Sequence, residues 1–174
     1  MSQYLRPKST GARVFFTLWL ATRGSDLLLR EVAKLRHAVA VTRADRPFGI
    51  DAWVVLPDHL HCVWQMPAGD GDYAVRWRLI KSRFAHGLTT QARSRSKVRK
   101  AEKGIWQRRY WEHHIRDEMD HEAHVRYCWG NPVKHGLVQR PEEWPYSSIH
   151  RDIRLGSGEW DWRGTMEAGE WGAR

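Results

Sequence analysis

The chain has 174 residues, carries 29 Lys and Arg against 20 Asp and Glu for a net charge of +9, and includes 11 Trp. That length supports one domain with a sizeable core, and the basic balance points to a polyanion, nucleic acid or an anionic surface, as partner. Without an apolar run near the roughly 20 residues that span a bilayer, or a charged-then-apolar N-terminus, the chain is expected to be soluble and cytoplasmic. Cys62 and Cys128 are not in a Cys-x-x-Cys pair, which predicts reduced thiols and excludes a disulfide scaffold.

Arg13 to Ala21 is short and rich in β-formers, which predicts a buried strand ending at the turn Thr22-Arg23-Gly24-Ser25. Asp26 is placed to cap a helix whose apolar residues Leu28, Val32, Leu35 and Val39 recur every three or four positions, with a stop before Arg46-Pro47. Ile50 to Leu56 and Leu60 to Met66 are two further strands, and Pro57-Asp58-His59 between them predicts an antiparallel hairpin. A second helix follows Asp72 with Trp77, Ile80, Phe84 and Leu88 on its apolar side, leaving Arg76, Arg78, Lys81 and Arg83 around the rest. Gln91 to Gly104 holds six basic residues and one acid, the composition of a solvated loop. Ile105 to His113 predicts a fourth strand, and Asp117 caps a third helix that ends at Gly130-Asn131-Pro132, because proline disfavours helical dihedrals in the residue before it. Most tryptophans, notably Trp19, Trp53 and Trp64, are expected in the core. This order of elements is the split βαβ arrangement of a ferredoxin-like sheet, an α+β βαββαβ fold with one added C-terminal helix. The expected organisation is a single domain over residues 1–155, with 91–104 as a basic loop, and a tail over 156–174. The tail carries Trp160, Trp162 and Trp171 without detectable period, and the excess of basic residues falls before Arg151.

His59 and His61 flank Leu60, and the two-residue period of a strand points both imidazoles to one face, as a cation site needs. The bland alternative is two half-buried histidines. Tyr127 and Asn131 stand four apart near the end of the third helix and share a face, pairing a nucleophile with an oxygen ligand; packing by Tyr127 and helix termination at Asn131 are the competing readings. A tyrosine with pKa near 10 needs a base or cation to become a good nucleophile. Two imidazoles and an amide oxygen leave coordination positions open and suit Mn²⁺ at least as well as Mg²⁺. Tyr110, near His113 and His114, is a rival nucleophile that fits packing or base stacking better. Arg78, Lys81, Arg108, Arg109 and Lys134 are the candidate DNA-binding cations, each supplying a sequence-independent phosphate contact.

Four ordered motifs carry a resemblance to a known family: Trp53-Val54-Val55-Leu56-Pro57-Asp58-His59-Leu60-His61; Ile80-Lys81; Trp106-Gln107-Arg108-Arg109-Tyr110-Trp111-Glu112-His113; and Tyr127 with Asn131-Pro132-Val133-Lys134-His135-Gly136. Over roughly residues 4–155 the chain resembles the REP-associated tyrosine transposases, relatives of the single-tyrosine HUH insertion-sequence transposases. The resemblance implies an HUH nuclease fold that cleaves and transfers single-stranded DNA beside the hairpin of a repetitive extragenic palindrome. By motif position it implies His59, His61 and Asn131 as ligands of Mg²⁺ or Mn²⁺, and Tyr127 as the nucleophile that becomes joined to the 5′ phosphate. Where mobile relatives usually carry Gln, this chain has the shorter Asn131. The resemblance favours a monomer over the dimer of mobile relatives, and a cytoplasmic, nucleoid-associated bacterial protein. Two rival functions differ in their outcome: a catalytically silent hairpin-binding protein would bind without cleaving, and a metal-water hydrolase built on Asp58, His59 and His61 would cleave without Tyr127.

Overall fold

The computed structural model describes residues 9–156. The expected C-terminal tail therefore lies, apart from Gly156, outside the described residues. Strands β1 (Arg13–Trp19), β2 (Gly49–Val55), β3 (His59–Gln65) and β4 (Trp111–His114) form one sheet in the order β2-β3-β1-β4, with every neighbouring pair antiparallel. Helices α1 (Leu27–Arg30), α2 (Val32–Asp45), α3 (Tyr73–Ala85), α4 (Arg95–Arg99), α5 (Glu118–Lys134) and α6 (Ile149–Arg154) surround it, with a 3-10 turn at Pro141–Glu143. Because β3 inserts between β1 and β2, the α+β ferredoxin-like order expected from the sequence is the observed one. None of the described helices is long and apolar enough to cross a membrane.

Strand alternation divides the core into two layers. Val14, Phe16, Leu18, Cys62 and Trp64 face α2 and α3, where Trp77, Ile80 and Phe84 complete one cluster. Phe15, Val54 and Val63 face the opposite way and meet Tyr127, Cys128 and Trp129 of α5. The antiparallel register sets Thr17 opposite His61 and Trp19 opposite His59, so the histidines share the α5 face with these two β1 residues. Both cysteines are free and buried.

Several elements depart from the expected boundaries for physical reasons. The first helix is broken at Glu31, and the Asp26 side chain does not cap it. Asp26 Oδ1 instead accepts from Arg30 Nε at 2.8 Å, while Ser25 Oγ takes the Leu27 N–H. Arg76 is only 1% exposed rather than solvated. Its guanidinium donates to the carbonyls of Arg46, Pro47 and Asp72 and to Asp70, tying α3 to the turn before β2. Asp72 does cap α3, accepting from Val75 N at 3.1 Å.

The fourth strand is shorter than the predicted Ile105–His113: Trp106 forms an isolated bridge to Leu20, and regular pairing resumes only at Trp111. Between them Lys81 Nζ takes the carbonyls of Gln107 and Arg108, at 2.9 and 3.4 Å, drawing this backbone toward α3 and away from the ladder. The basic segment is exposed, as expected, but contains α4 and is held in shape. Gln91 N donates to Lys103 O, and Lys103 Nζ to Leu88 O.

Helix α5 runs through Pro132 to Lys134 instead of stopping at Gly130-Asn131-Pro132. Two bonds close its end, Gly136 N to Val133 O and Leu137 N to Pro132 O, with Gly136 at φ +66°. This is a Schellman motif, which supplies partners to the last carbonyls and needs a left-handed residue. It offsets the N–H that Pro132 lacks. Of the tryptophans expected in the core, Trp64 is fully buried, whereas Trp19 and Trp53 are half-buried.

Candidate active site

His59 opens β3 and lies 3% exposed on the α5 face of the sheet. Its Nδ1 sits 2.7 Å from Asp58 Oδ1. The other oxygen of Asp58 accepts the Gly24 N–H at 2.7 Å, with Arg23 Nε 3.7 Å away. Burial works to raise the Asp58 pKa, but the bonds from His59 and Gly24 outweigh it and hold the carboxyl below its usual range. Burial pushes His59 down to about 4, against the pull of Asp58. At neutral pH the pair is thus an ionised carboxylate and a neutral imidazole whose Nδ1 carries the proton. Nε2 presents its lone pair, is buried, and has no hydrogen-bond partner.

His61, 2% exposed, sits with Nδ1 2.9 Å from the buried Thr17 hydroxyl. Burial, followed by the neighbouring His59 and His135, pushes its imidazole well below the usual value, with the Asn131 amide opposing. The two rings lie 5.0 Å apart, nearly perpendicular. Each therefore has Nδ1 engaged by a neighbouring side chain and Nε2 left for a ligand, the arrangement in which outer groups orient metal-binding histidines.

Helix α5 brings the remaining groups. Asp117 caps its start by accepting from Asp120 N at 2.8 Å, which orients the first turn. Tyr127 is 9% exposed, and its ring stands 5.2 Å from that of His61, edge to face. Burial raises its phenol pKa, again opposed by Asn131. Lys134 Nζ lies 5.1 Å from the centre of the same ring. Asn131 is fully buried and donates from Nδ2 to Tyr127 O at 3.1 Å, yet its Oδ1 meets no donor. Two orphaned acceptors, His59 Nε2 and Asn131 Oδ1, therefore flank His61 in the interior. Unpaired buried acceptors cost free energy unless a ligand satisfies them, and a cation is what a nitrogen and an amide oxygen would jointly bind.

Several residues of this site carry no obvious signal in the sequence. Trp19 stacks on His59 at 3.8 Å between ring centres, and the Arg23 guanidinium lies 3.4 Å over the other ring contact of that indole. His135, one residue past α5, stands 5.0 Å from His59. Asp58 is adjacent to His59 and could have been found from that; Thr17, Trp19 and His135 arrive only through strand register and the helix end. A second cluster, also missed, is His113, Asp120 and His124, whose candidate donor atoms lie within 4.8 Å of one another. The spacing of Asp120 and His124 on one helix face was the available signal. Here, however, Asp120 Oδ2 already takes the backbone N–H and Nε of Arg116 and contacts His113 Nε2 at 2.8 Å. Burial opposes the ionisation of Asp120, and these bonds overcome it to hold the carboxyl well below its usual range. The cluster is thus internally bonded, unlike the orphaned acceptors beside Tyr127.

The five candidate DNA-binding cations do not form one patch. Lys134 stands at Tyr127, Arg78, Lys81 and Arg108 line a cavity on the opposite, α3 face, and Arg109 is exposed beside it in sequence. The rival tyrosine, Tyr110, packs on that α3 face against Phe16 and Trp77, in the cluster opposite His61 and Tyr127.

No family model matches the chain. An Escherichia coli K12 REP-associated tyrosine transposase is 45% identical over 166 residues, 95% of this chain and 93% of that protein. The chain belongs to the REP-associated tyrosine transposases. A Haemophilus influenzae relative assigned to the same family is 41% identical over 169 residues, covering 96% of each chain. Among solved structures, a REP-associated tyrosine transposase bound to a REP hairpin superposes with a TM-score of 0.86 at 44% identity, over 100% of this chain and 98% of the other. The sheet and flanking helices are accordingly those of the family's HUH fold.

Proposed function

We propose that this REP-associated tyrosine transposase nicks and transfers single-stranded DNA beside palindromic hairpins, using Tyr127 as nucleophile and a divalent cation held by His59, His61 and Asn131. The observation that carries the reading is the pair of buried acceptors without partners, His59 Nε2 and Asn131 Oδ1, next to the Tyr127 ring. A bound Mg²⁺ or Mn²⁺ would polarise a phosphoryl oxygen and stabilise charge that develops on it. The relative solved with a REP hairpin supports hairpin DNA as the partner.

The chain's own residues supply the rest. Tyr127 gives up its proton and its phenol oxygen bonds to phosphorus, while the bond to the 3′ oxygen breaks and that oxygen leaves as a hydroxyl. The 5′-phosphotyrosine ester retains the energy of the original linkage, so a second 3′ hydroxyl can reverse the step and join new strands. Lys134, above the Tyr127 ring, favours the phenolate and is placed to contact the phosphate. Asp58 and Thr17 hold the two imidazoles in orientation and protonation state.

The test is to incubate the protein and its Tyr127→Phe variant with labelled palindromic single strands from its own genome in Mn²⁺ or Mg²⁺, and run denaturing gels. A denaturation-resistant protein–DNA adduct with a shortened 3′-hydroxyl product is expected for the parent and neither for the variant. Cleavage surviving in Tyr127→Phe would replace this mechanism with water attack, and binding without cleavage in either metal would leave a DNA-binding protein alone.

A further inference from the structure

On the α3 face, across the sheet from Tyr127, α3 and the end of the basic segment enclose a cavity of about 540 Å³, within the range of small-molecule sites. Three features of its lining restrict what can enter. Its aromatic wall is Trp77, Trp106 and Tyr110. The indole N–H groups of Trp77 and Trp106 are buried, at 1% and 8% residue exposure, and neither meets an acceptor. Its charged rim holds Arg78, Lys81, Lys100, Lys103 and Arg108 against the single acid Glu102.

These features ask for one kind of guest. An aromatic wall takes a flat ring, two unpaired N–H donors take a ring carrying acceptors, and a cationic rim takes an anion; a nucleotide combines all three. The rim cations are not equally available. Arg108 is held in a two-oxygen contact with Glu102, at 2.9 and 3.1 Å, and Lys103 Nζ is spent on Leu88 O. Arg78 and Lys100 are exposed and make no ion pair with the described residues.

The cavity is also continuous with the tyrosine site through one stretch of backbone. Gln107 N donates to Trp19 O at 3.0 Å and Trp106 bridges Leu20, while Trp19 itself stacks on His59. A strand leaving Tyr127 past the Trp19 end of the sheet reaches the cavity without crossing the sheet.

We propose that this cavity receives one unpaired nucleotide of the DNA, its base against Tyr110 and the edges of Trp77 and Trp106, its phosphate at Arg78 and Lys100. This rests on the reading that the substrate is single-stranded DNA flanking a hairpin. It gives the basic segment a role beyond solubility, since Lys100 to Gly104 form the wall facing α3. Gly104 makes that wall possible: at φ +75°, a Cβ there would stand 2.8 Å from Ala92 O.

The experiment uses the full chain and hairpin oligonucleotides in two forms, one with an unpaired 5′ and 3′ flank and one blunt, with 2-aminopurine placed at each unpaired position in turn. The expected result is fluorescence quenching at one flank position on binding, lost in Tyr110→Leu. Arg78→Glu combined with Lys100→Glu is expected to weaken the flanked oligonucleotide by about tenfold more than the blunt one. Both rim residues are exposed, so this variant keeps the test valid should Tyr110→Leu misfold. Equal weakening of both forms would reveal only the general phosphate field and overturn the proposal, as would quenching at no position or at all of them equally. Competition by deoxynucleoside monophosphates, tested separately on the quenched complex, would identify free nucleotides as a second source of the same ligand. Failure of every oligonucleotide to bind would sink the DNA reading as well, whereas an adduct at Tyr127 without a quenched position would sink this inference alone.

Discussion

At the scale of single residues, the site depends on protonation states that burial sets. Asp58 keeps the proton of His59 on Nδ1 and leaves Nε2 as acceptor. Asp58→Asn removes the charge that fixes this tautomer, and loss of such an outer partner typically costs about 10- to 100-fold in metal affinity. Calorimetric titration with Mn²⁺ is expected to show that loss, and an unchanged affinity would place the cation elsewhere, with His113, Asp120 and His124 the next site to mutate. The same residues predict an acid limit in the metal-free protein. His59 sits at about 4 in the fold against about 6.5 when unfolded. Between those values the unfolded chain binds more protons, so stability rises with pH and is lost on acidification through this window, with a slope up to about 1.4 kcal/mol per pH unit for each such group. Buried His61 and His124 are shifted the same way and add to the slope, whereas Asp70, held at about 2 by Arg76, acts only in stronger acid. Melting in EDTA should fall steeply from pH 6.5 to 4.5, less so in His59→Gln. A flat profile in the parent would mean that the imidazoles are solvated.

At the scale of elements, what could be read from the sequence is what local periodicity records. The alternation of β1 and β3, the apolar stripe of α3 and the caps at Asp72 and Asp117 all rest on neighbours within a few residues, and the structure has them. His59 with His61 and Tyr127 with Asn131 were legible for the same reason, each pair sharing a face of one element. Elements shaped by distant partners were not. The start of β4 is displaced because Lys81 captures the Gln107 and Arg108 carbonyls, and Arg76 is drawn inside by three carbonyls from other segments. Pro132 is misleading alone, since the stop it signals is overridden by the Schellman closure at Gly136. That closure holds the last turn on which Asn131 and Lys134 ride. A Cβ at Gly136 would meet nothing within 4 Å, so Gly136→Ala tests backbone conformation alone. It should cost about 1 to 2 kcal/mol, or roughly 2 to 8 °C in melting temperature. It should also slow adduct formation, because the end of α5 loosens. A melting temperature equal to that of the parent would show that the left-handed residue is not what ends the helix.

At the scale of the whole molecule, the sheet separates two cationic regions that a single DNA would have to engage together: Lys134 at Tyr127 on one face, and the rim around Arg78 on the other. The net charge of +9 does not say which cations meet phosphate, but salt dependence does, since each neutralised phosphate contributes about −0.7 to −0.9 to the slope of log K against log salt. Cations already paired within the protein release few counterions on binding, so the size of the change should follow pairing rather than position. Arg78→Ala and Lys134→Ala should each make the slope shallower by about 0.7 to 0.9. Arg108→Ala, whose guanidinium is held by Glu102, should change it by less. Binding measured by fluorescence anisotropy between 50 and 300 mM salt distinguishes the cases. The two unpaired cations should then differ in chemistry: Lys134→Ala slows adduct formation as well as weakening binding, because its charge lies over the Tyr127 ring, and raising the pH should recover part of the rate by restoring phenolate. Arg78→Ala should leave the rate from the bound complex near that of the parent. If both substitutions changed only the slope, Lys134 would be an electrostatic anchor and the phenolate would owe its formation to other groups.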